Sequence, residues 1–155
     1  MNRTDLKKVL QYLQEGNVER AKGFLTGKLE TIEAKAIKLG KLIDLELTNG
    51  DKEPVFVKAF PVGKYFAIHH PSDYGKTWTI THVPSGLAAT GQIRRKNLAV
   101  LYAKAFADLP APWENKEPLR GIDSVTMTAL TELAQAARDN KPLPAKVITD
   151  ALMDF

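Results

Sequence analysis

Three histidines, one basic triad and one pair of glycines are the residues of this 155-residue chain whose types and spacing can do chemistry. His69, His70 and His82 fall in two segments of alternating polarity, and a shared metal or a general base would need them at one point in space. Pairing the two segments so that Phe66 opposes Ile80 and Ile68 opposes Trp78 keeps the apolar residues on one face. That register sets His70 and His82 on one face about 20 Å apart, at roughly 3.3 Å per residue, and turns His69 to the other. No metal site and no catalytic residue is therefore expected. With no cysteine in the sequence, thiol nucleophiles, Cys-ligated zinc, iron–sulfur clusters and disulfides are excluded as well.

Thr77, Thr79 and Thr81 line the same face as His69. They read as solvent-facing strand residues, with contact to a ligand as the other reading. Gly86 and Gly91 have the spacing of a phosphate-cradling loop, but Gln92-Ile93 stands where Lys followed by Ser or Thr is required. Arg94-Arg95-Lys96 comes next, at the point where a strand gives way to a helix. Backbone N–H groups and three cations can converge on an anion at such a junction. Lys7, Lys8 and Lys22 would add positive charge from the N-terminal helices. Nucleic acid, bound through its phosphates without sequence reading, is the expected partner. The competing reading is an inhibitor or adaptor that binds a host protein through Tyr74, Trp113 and Phe155. No cofactor is expected in either case.

The elements that must position these residues show in the hydrophobic periodicity. Leu6, Val9, Leu10 and Leu13 recur at helical spacing after Thr4 or Asp5 as cap. Gly16-Asn17 ends that helix and opens a second, with Val18, Ala21, Phe24, Leu25 and Leu29 as apolar positions. Gly23 and Gly27 weaken it, and a break is expected near Thr26-Gly27. From Leu42 the period becomes two: strands are expected near residues 42–48, 55–60, 64–70, 77–83 and 87–93, joined by turns rich in Asn, Gly, Pro and Ser. Short turns imply an antiparallel meander. Helical spacing returns over residues 98–109. A proline-bearing link carrying Trp113 as an apolar anchor comes after it, then a helix capped by Asp123 or Ser124, and after Lys141-Pro142-Leu143-Pro144 a last short helix with Val147, Ile148, Leu152 and Phe155. The fold class is α+β: a helical hairpin (residues 1–41), a five-stranded sheet with a covering helix (42–109), and a linker with two C-terminal helices (110–155) that packs with the sheet as one unit.

The chain holds 22 Lys and Arg against 18 Asp and Glu. Residues 1–41 carry nine cations and five anions, residues 42–92 four and five, and residues 93–155 nine and eight. The excess thus sits on the N-terminal helices, and an acidic mimic of DNA is disfavoured. No apolar run approaches the roughly 20 residues that cross a bilayer, so a cytoplasmic protein without membrane contact is expected. Phe66-Ala67-Ile68-His69-His70, Trp78-Thr79-Ile80-Thr81-His82-Val83-Pro84-Ser85-Gly86, the basic turn and the helix of residues 98–109 together resemble small strand-strand-helix modules of phage and mobile-element proteins of unassigned function. The resemblance covers residues 64–109 and implies a phage-type accessory protein acting in a host cytoplasm. It implies no catalytic residue.

Overall fold

A computed structural model of the chain describes residues 2–48, 55–71 and 75–143. Asn2 opens the first helix, α1 (Arg3–Gln14): its side chain accepts the Asp5 N–H at 2.9 Å, and the Asp5 carboxylate accepts the Asn2 N–H at 3.4 Å. The cap is thus Asn2, and Asp5, one of the two caps expected, is instead the third helical residue of a reciprocal box. Asn17 caps α2 (Val18–Ala36) by accepting the Arg20 N–H at 3.1 Å. The expected break at Thr26-Gly27 is absent, and α2 is continuous. Each glycine costs about 1 kcal/mol relative to alanine; Ala21 and Ala34 are buried on opposite sides of the helix, and Tyr12 meets Phe24 edge-on at 6.3 Å, which outweighs that cost. The two helices run antiparallel, with Lys28 3.4 Å from Asp5. Leu6, Leu10 and Leu13, expected to face a core, are 49%, 56% and 48% exposed, because α1 packs against α2 alone and turns only the Val9 and Tyr12 side toward it.

Five strands come next, in the order of the chain: β1 (Ile43–Leu47), β2 (Val55–Val62), β3 (Phe66–His69), β4 (Trp78–His82) and β5 (Leu87–Ile93), all antiparallel. β2 continues through Pro61, which pairs with Ala67, and so outruns its expected end. The β3–β4 register also differs from expectation by two residues: Phe66 opposes His82 and Ile68 opposes Ile80. An even shift leaves every side chain on its expected face but brings His70 beside Trp78 and His82 beside Phe66, with ring centroids 4.1 and 5.6 Å apart. The sheet curls until the end of β1 meets the β4–β5 turn, where the Thr48 N–H donates to the Gly86 carbonyl at 2.9 Å and the Thr48 hydroxyl to the Ser85 carbonyl at 2.8 Å. This curl closes a small second core of Leu45, Ala59 and Ala67, and it buries Thr81, whose alternation alone predicts a solvent-facing side chain.

The opposite face of the sheet carries Val62, Phe66, Ile68, Ile80 and Ile93 and is covered by α3 (Lys96–Asp108). α3 is buried almost all round, from Leu98 to Phe106, since the sheet, α2 and α4 (Ser124–Arg138) enclose it. Asp123 caps α4 by accepting the Thr126 N–H at 2.7 Å, as expected. Thr90 ties α4 to β5 through a 2.8 Å bond to the Ala134 carbonyl. The architecture is therefore α+β with four described helices and one antiparallel sheet. The last helix expected from sequence, with Phe155, lies outside the described residues, as do the Asn49-Gly50 turn and Tyr74. No helix among the described residues is long and apolar enough to cross a membrane.

Candidate nucleic-acid interface

The basic triad sits where β5 hands over to α3, and irregular backbone sets its course. The β4–β5 register slips between the Trp78–Ile93 and Ile80–Thr90 pairs, so that β5 carries an extra residue, and Gln92 takes φ +61° there. A bulge of this kind bends its strand and re-aims the next residues of the chain. Asn140, itself at φ +57°, holds the bend: its Oδ1 accepts the Arg94 N–H at 2.7 Å and its Nδ2 donates to the Gln92 carbonyl at 3.1 Å. Asparagine suits both tasks, because it tolerates the left-handed region and carries a donor and an acceptor.

Arg95 occupies the N-cap position of α3 but provides no side-chain cap. The first N–H groups of the helix therefore stay open at its positive end. The start of α3 borders a cleft of about 630 Å³ against α2, lined by Gly23, Gly27, Glu30, Arg95, Lys96 and Asn97 among others. Neither glycine has any atom within 4 Å of where a Cβ would stand, so this face of α2 is held back from α3 and the cleft stays wide. The Arg95 guanidinium reaches across it and makes a two-pronged bond to Glu30, with both N···O distances 3.0 Å. Lys96 turns the other way: its Nζ lies 4.1 Å from the centre of the Phe60 ring and 5.7 Å from that of Trp78. Arg94 is exposed, and its guanidinium has no ion-pair partner among the described residues.

The three cations are adjacent in the chain but their side chains part, Arg95 across the cleft on Glu30, Lys96 over the Phe60 and Trp78 rings and Arg94 exposed. Lys7, Lys8 and Lys22 do not line the cleft: they stand on the hairpin, Lys8 over Phe24 at 5.6 Å and Lys22 3.9 Å from Glu19. Glu30, Asn140 and the Phe60–Trp78 pair escape sequence reading, because nothing local ties them to the triad. The one available signal is the i, i+4 pair Gly23 and Gly27, which marks a bare stripe on α2. No family model, curated protein or solved structure matches this chain.

Trp113 must be corrected as a partner-binding residue. It is only 5% exposed, its ring meets Phe66 edge-on at 4.9 Å, and its Nε1 donates to the Leu109 carbonyl at 3.1 Å. The histidines each hold a neighbouring carbonyl. His70 Nδ1 donates to Thr77 at 2.9 Å, and His82 Nε2 to Trp113 at 2.6 Å. His69 Nδ1 donates to the His70 carbonyl at 2.8 Å while its Nε2 accepts the Thr81 hydroxyl at 2.7 Å. Burial holds the His69 pKa below its usual value, so the ring is kept in the neutral form that this pairing needs. Ser85 Oγ lies 2.8 Å from His82 Nδ1, at the edge of an apolar groove of about 320 Å³, which is the spacing of a nucleophile and its base. The N–H groups of the next two residues are already used, Gly86 on the His82 carbonyl and Leu87 on Ser85 Oγ, so neither is free to serve an oxyanion. The pair braces the turn.

Glu33 borders a small cavity between α2, α3 and Leu143, together with Leu29, Leu98 and Leu101. It is 8% exposed, and its Oε1 has no hydrogen-bond partner among the described residues. Burial raises its pKa above 4.5. The neutral carboxyl thus suits the fold; its benefit is complete below pH 4.5 and is lost as pH rises through the raised value. Glu33→Met is expected to stabilise the protein by about 1–2 kcal/mol at pH 7, the usual cost of a buried group left unpaired. At about pH 4 the gain should largely vanish. Urea unfolding at the two pH values checks this; a variant weaker than the parent at neutral pH would show that the carboxylate is paired after all.

Proposed function

We propose that this chain is a binding protein, not an enzyme, that holds the phosphates of a nucleic-acid backbone at the β5–α3 junction without reading sequence. The observation that carries this reading is the junction itself: Arg94 is exposed with no ion-pair partner among the described residues, Lys96 is exposed two positions on, and the uncapped start of α3 borders an open cleft whose one carboxylate among the described residues, Glu30, is already taken by Arg95. Phosphate oxygens suit such a place, since the uncapped helix start, its dipole and the unpaired Arg94 guanidinium all favour an anion there. The resemblance of residues 64–109 to phage and mobile-element modules is compatible with an accessory role of this type.

Anisotropy titration of a labelled duplex of about 20 base pairs over a range of salt tests the reading. Affinity should fall steeply with salt, and Arg94→Ala should weaken binding several-fold while lowering the log–log salt slope by about 0.9, the share of one phosphate contact. A slope that Arg94→Ala leaves unchanged would remove the junction from the interface. If neither duplex nor single strand binds at low salt, the reading passes to a protein partner, for which the half-exposed Leu6, Leu10 and Leu13 stripe on α1 is the observed surface.

A further inference from the structure

The sheet face that α3 covers does not end where the helix begins. Beyond the first turn of α3, Phe60, Trp78 and His70 continue the row of Ile68 and Ile80 out to the surface, Phe60 and Trp78 half-buried and His70 exposed. Their rings form one cluster: Phe60 and Trp78 have centroids 6.5 Å apart, and His70 lies 4.1 Å from Trp78 at an interplanar angle of 37°. Lys96, a member of the basic triad, holds its ammonium over two of these rings. Aromatic faces and phosphate-binding cations therefore share one edge of the molecule, and a single residue belongs to both.

We infer that the nucleic acid taken at this junction is single-stranded, with unpaired bases stacking on the Phe60–Trp78–His70 cluster while Arg94 and Lys96 hold the backbone; this rests on the phosphate-binding reading above. A duplex keeps its bases stacked on one another and offers only its backbone to a cationic site, so the aromatic cluster would have nothing to take. A single strand offers both groups side by side, and every base has a face to stack, which suits binding without sequence preference. Lys96 also provides the exchange. A cation over a solvent-facing ring is held weakly compared with a stacked base, so an incoming base displaces the ammonium from the Phe60 ring toward the adjacent phosphate. Trp113, the other tryptophan, is buried, so Trp78 reports on the surface.

The full chain is titrated with fluorescein-labelled oligo-dT of about 20 nucleotides and with a duplex of about 20 base pairs, and tryptophan emission is followed with the unlabelled strands. The single strand should bind about tenfold or more tightly than the duplex and quench the emission of Trp78. Phe60→Leu and Trp78→Leu should each lower single-strand affinity about tenfold and leave duplex affinity within about twofold. Circular dichroism and thermal melting confirm that the variants are folded; should Trp78→Leu fail to fold, Phe60→Leu and the quenching carry the test. Equal affinity for both nucleic acids, or Phe60→Leu binding the single strand as well as the parent, overturns this inference and leaves phosphate binding standing. Failure of both nucleic acids to bind overturns the two together.

Discussion

Gly86→Ala is expected to destabilise the fold by about 3 kcal/mol, whereas Gly63→Ala should cost about 1 kcal/mol. Both glycines lie in turns between successive strands, Gly86 just before β5 and Gly63 just after β2, and both have positive φ, at +70° and +72°. An alanine in that region meets the same steric penalty at either site. Their surroundings differ. Nothing lies within 4 Å of a Cβ built on Gly63, whereas one on Gly86 would stand 2.8 Å from the Glu46 carbonyl oxygen, 2.8 Å from the Thr48 hydroxyl and 3.0 Å from the Thr48 nitrogen. Two of those atoms are backbone and cannot rotate away. The end of β1 would have to move off the β4–β5 turn, taking with it the two bonds from Thr48 to Gly86 and Ser85, each worth about 1 kcal/mol. Opening that seam also exposes the second core and Thr81 behind it. Equilibrium urea unfolding of the two variants separates the terms, because Gly63→Ala measures the backbone penalty alone. Equal losses at the two positions would show that the close approach contributes nothing.

The seam also shows what a sequence can and cannot disclose about this fold. Strand positions, the meander and the Asp123 cap are set by local pattern: alternation over residues 43–47, turn residues between strands, and an acidic residue one step before an apolar helical stripe. The β3–β4 register is not, since a shift of two residues keeps Phe66, Ile68, Trp78 and Ile80 on one face in either pairing, and parity is all that alternation fixes. The contact that selects the observed pairing is distant in sequence: His82 must lie over Phe66 to reach the carbonyl of Trp113, 31 residues on. Thr81 is buried for a similar reason, because β1 curls over it from the far edge of the sheet. The basic triad is legible as three adjacent cations before a helix. Its chemistry is not: the carboxylate that grips Arg95 comes from 65 positions away, and the amide that fixes the backbone of Arg94 from 46. The same long-range packing turns Lys96 from a generic cation into one poised over aromatic rings.

Trp113→Ala is expected to be the most damaging single truncation in the link between α3 and α4, at about 4 kcal/mol. The residue fills the space between Phe66 and His82, with centroids at 4.9 and 5.7 Å, and no neighbouring element can close over the void it would leave, because α3 and the sheet are already in contact with each other. Two hydrogen bonds depend on its position. Its Nε1 donates to Leu109, and its own carbonyl receives the His82 Nε2 proton, so that one residue staples both the start of the link and the end of β4. Trp113→Phe separates shape from polarity: it keeps most of the ring volume and the carbonyl but removes one of the two N–H groups on the Leu109 carbonyl, which keeps that of Ala111, and should cost about 1 kcal/mol. If Trp113 instead served a partner from the surface, both variants would unfold at nearly the parent's urea concentration and only binding would suffer. A loss below about 1 kcal/mol for Trp113→Ala would therefore overturn its place in the core. Trp113 touches Phe66 and His82 and none of the rings at the proposed single-strand edge, so Trp113→Ala should weaken the proposed binding in proportion to the fraction unfolded and no further. Binding lost from a fully folded sample would show that the anchor and the interface are coupled through the sheet.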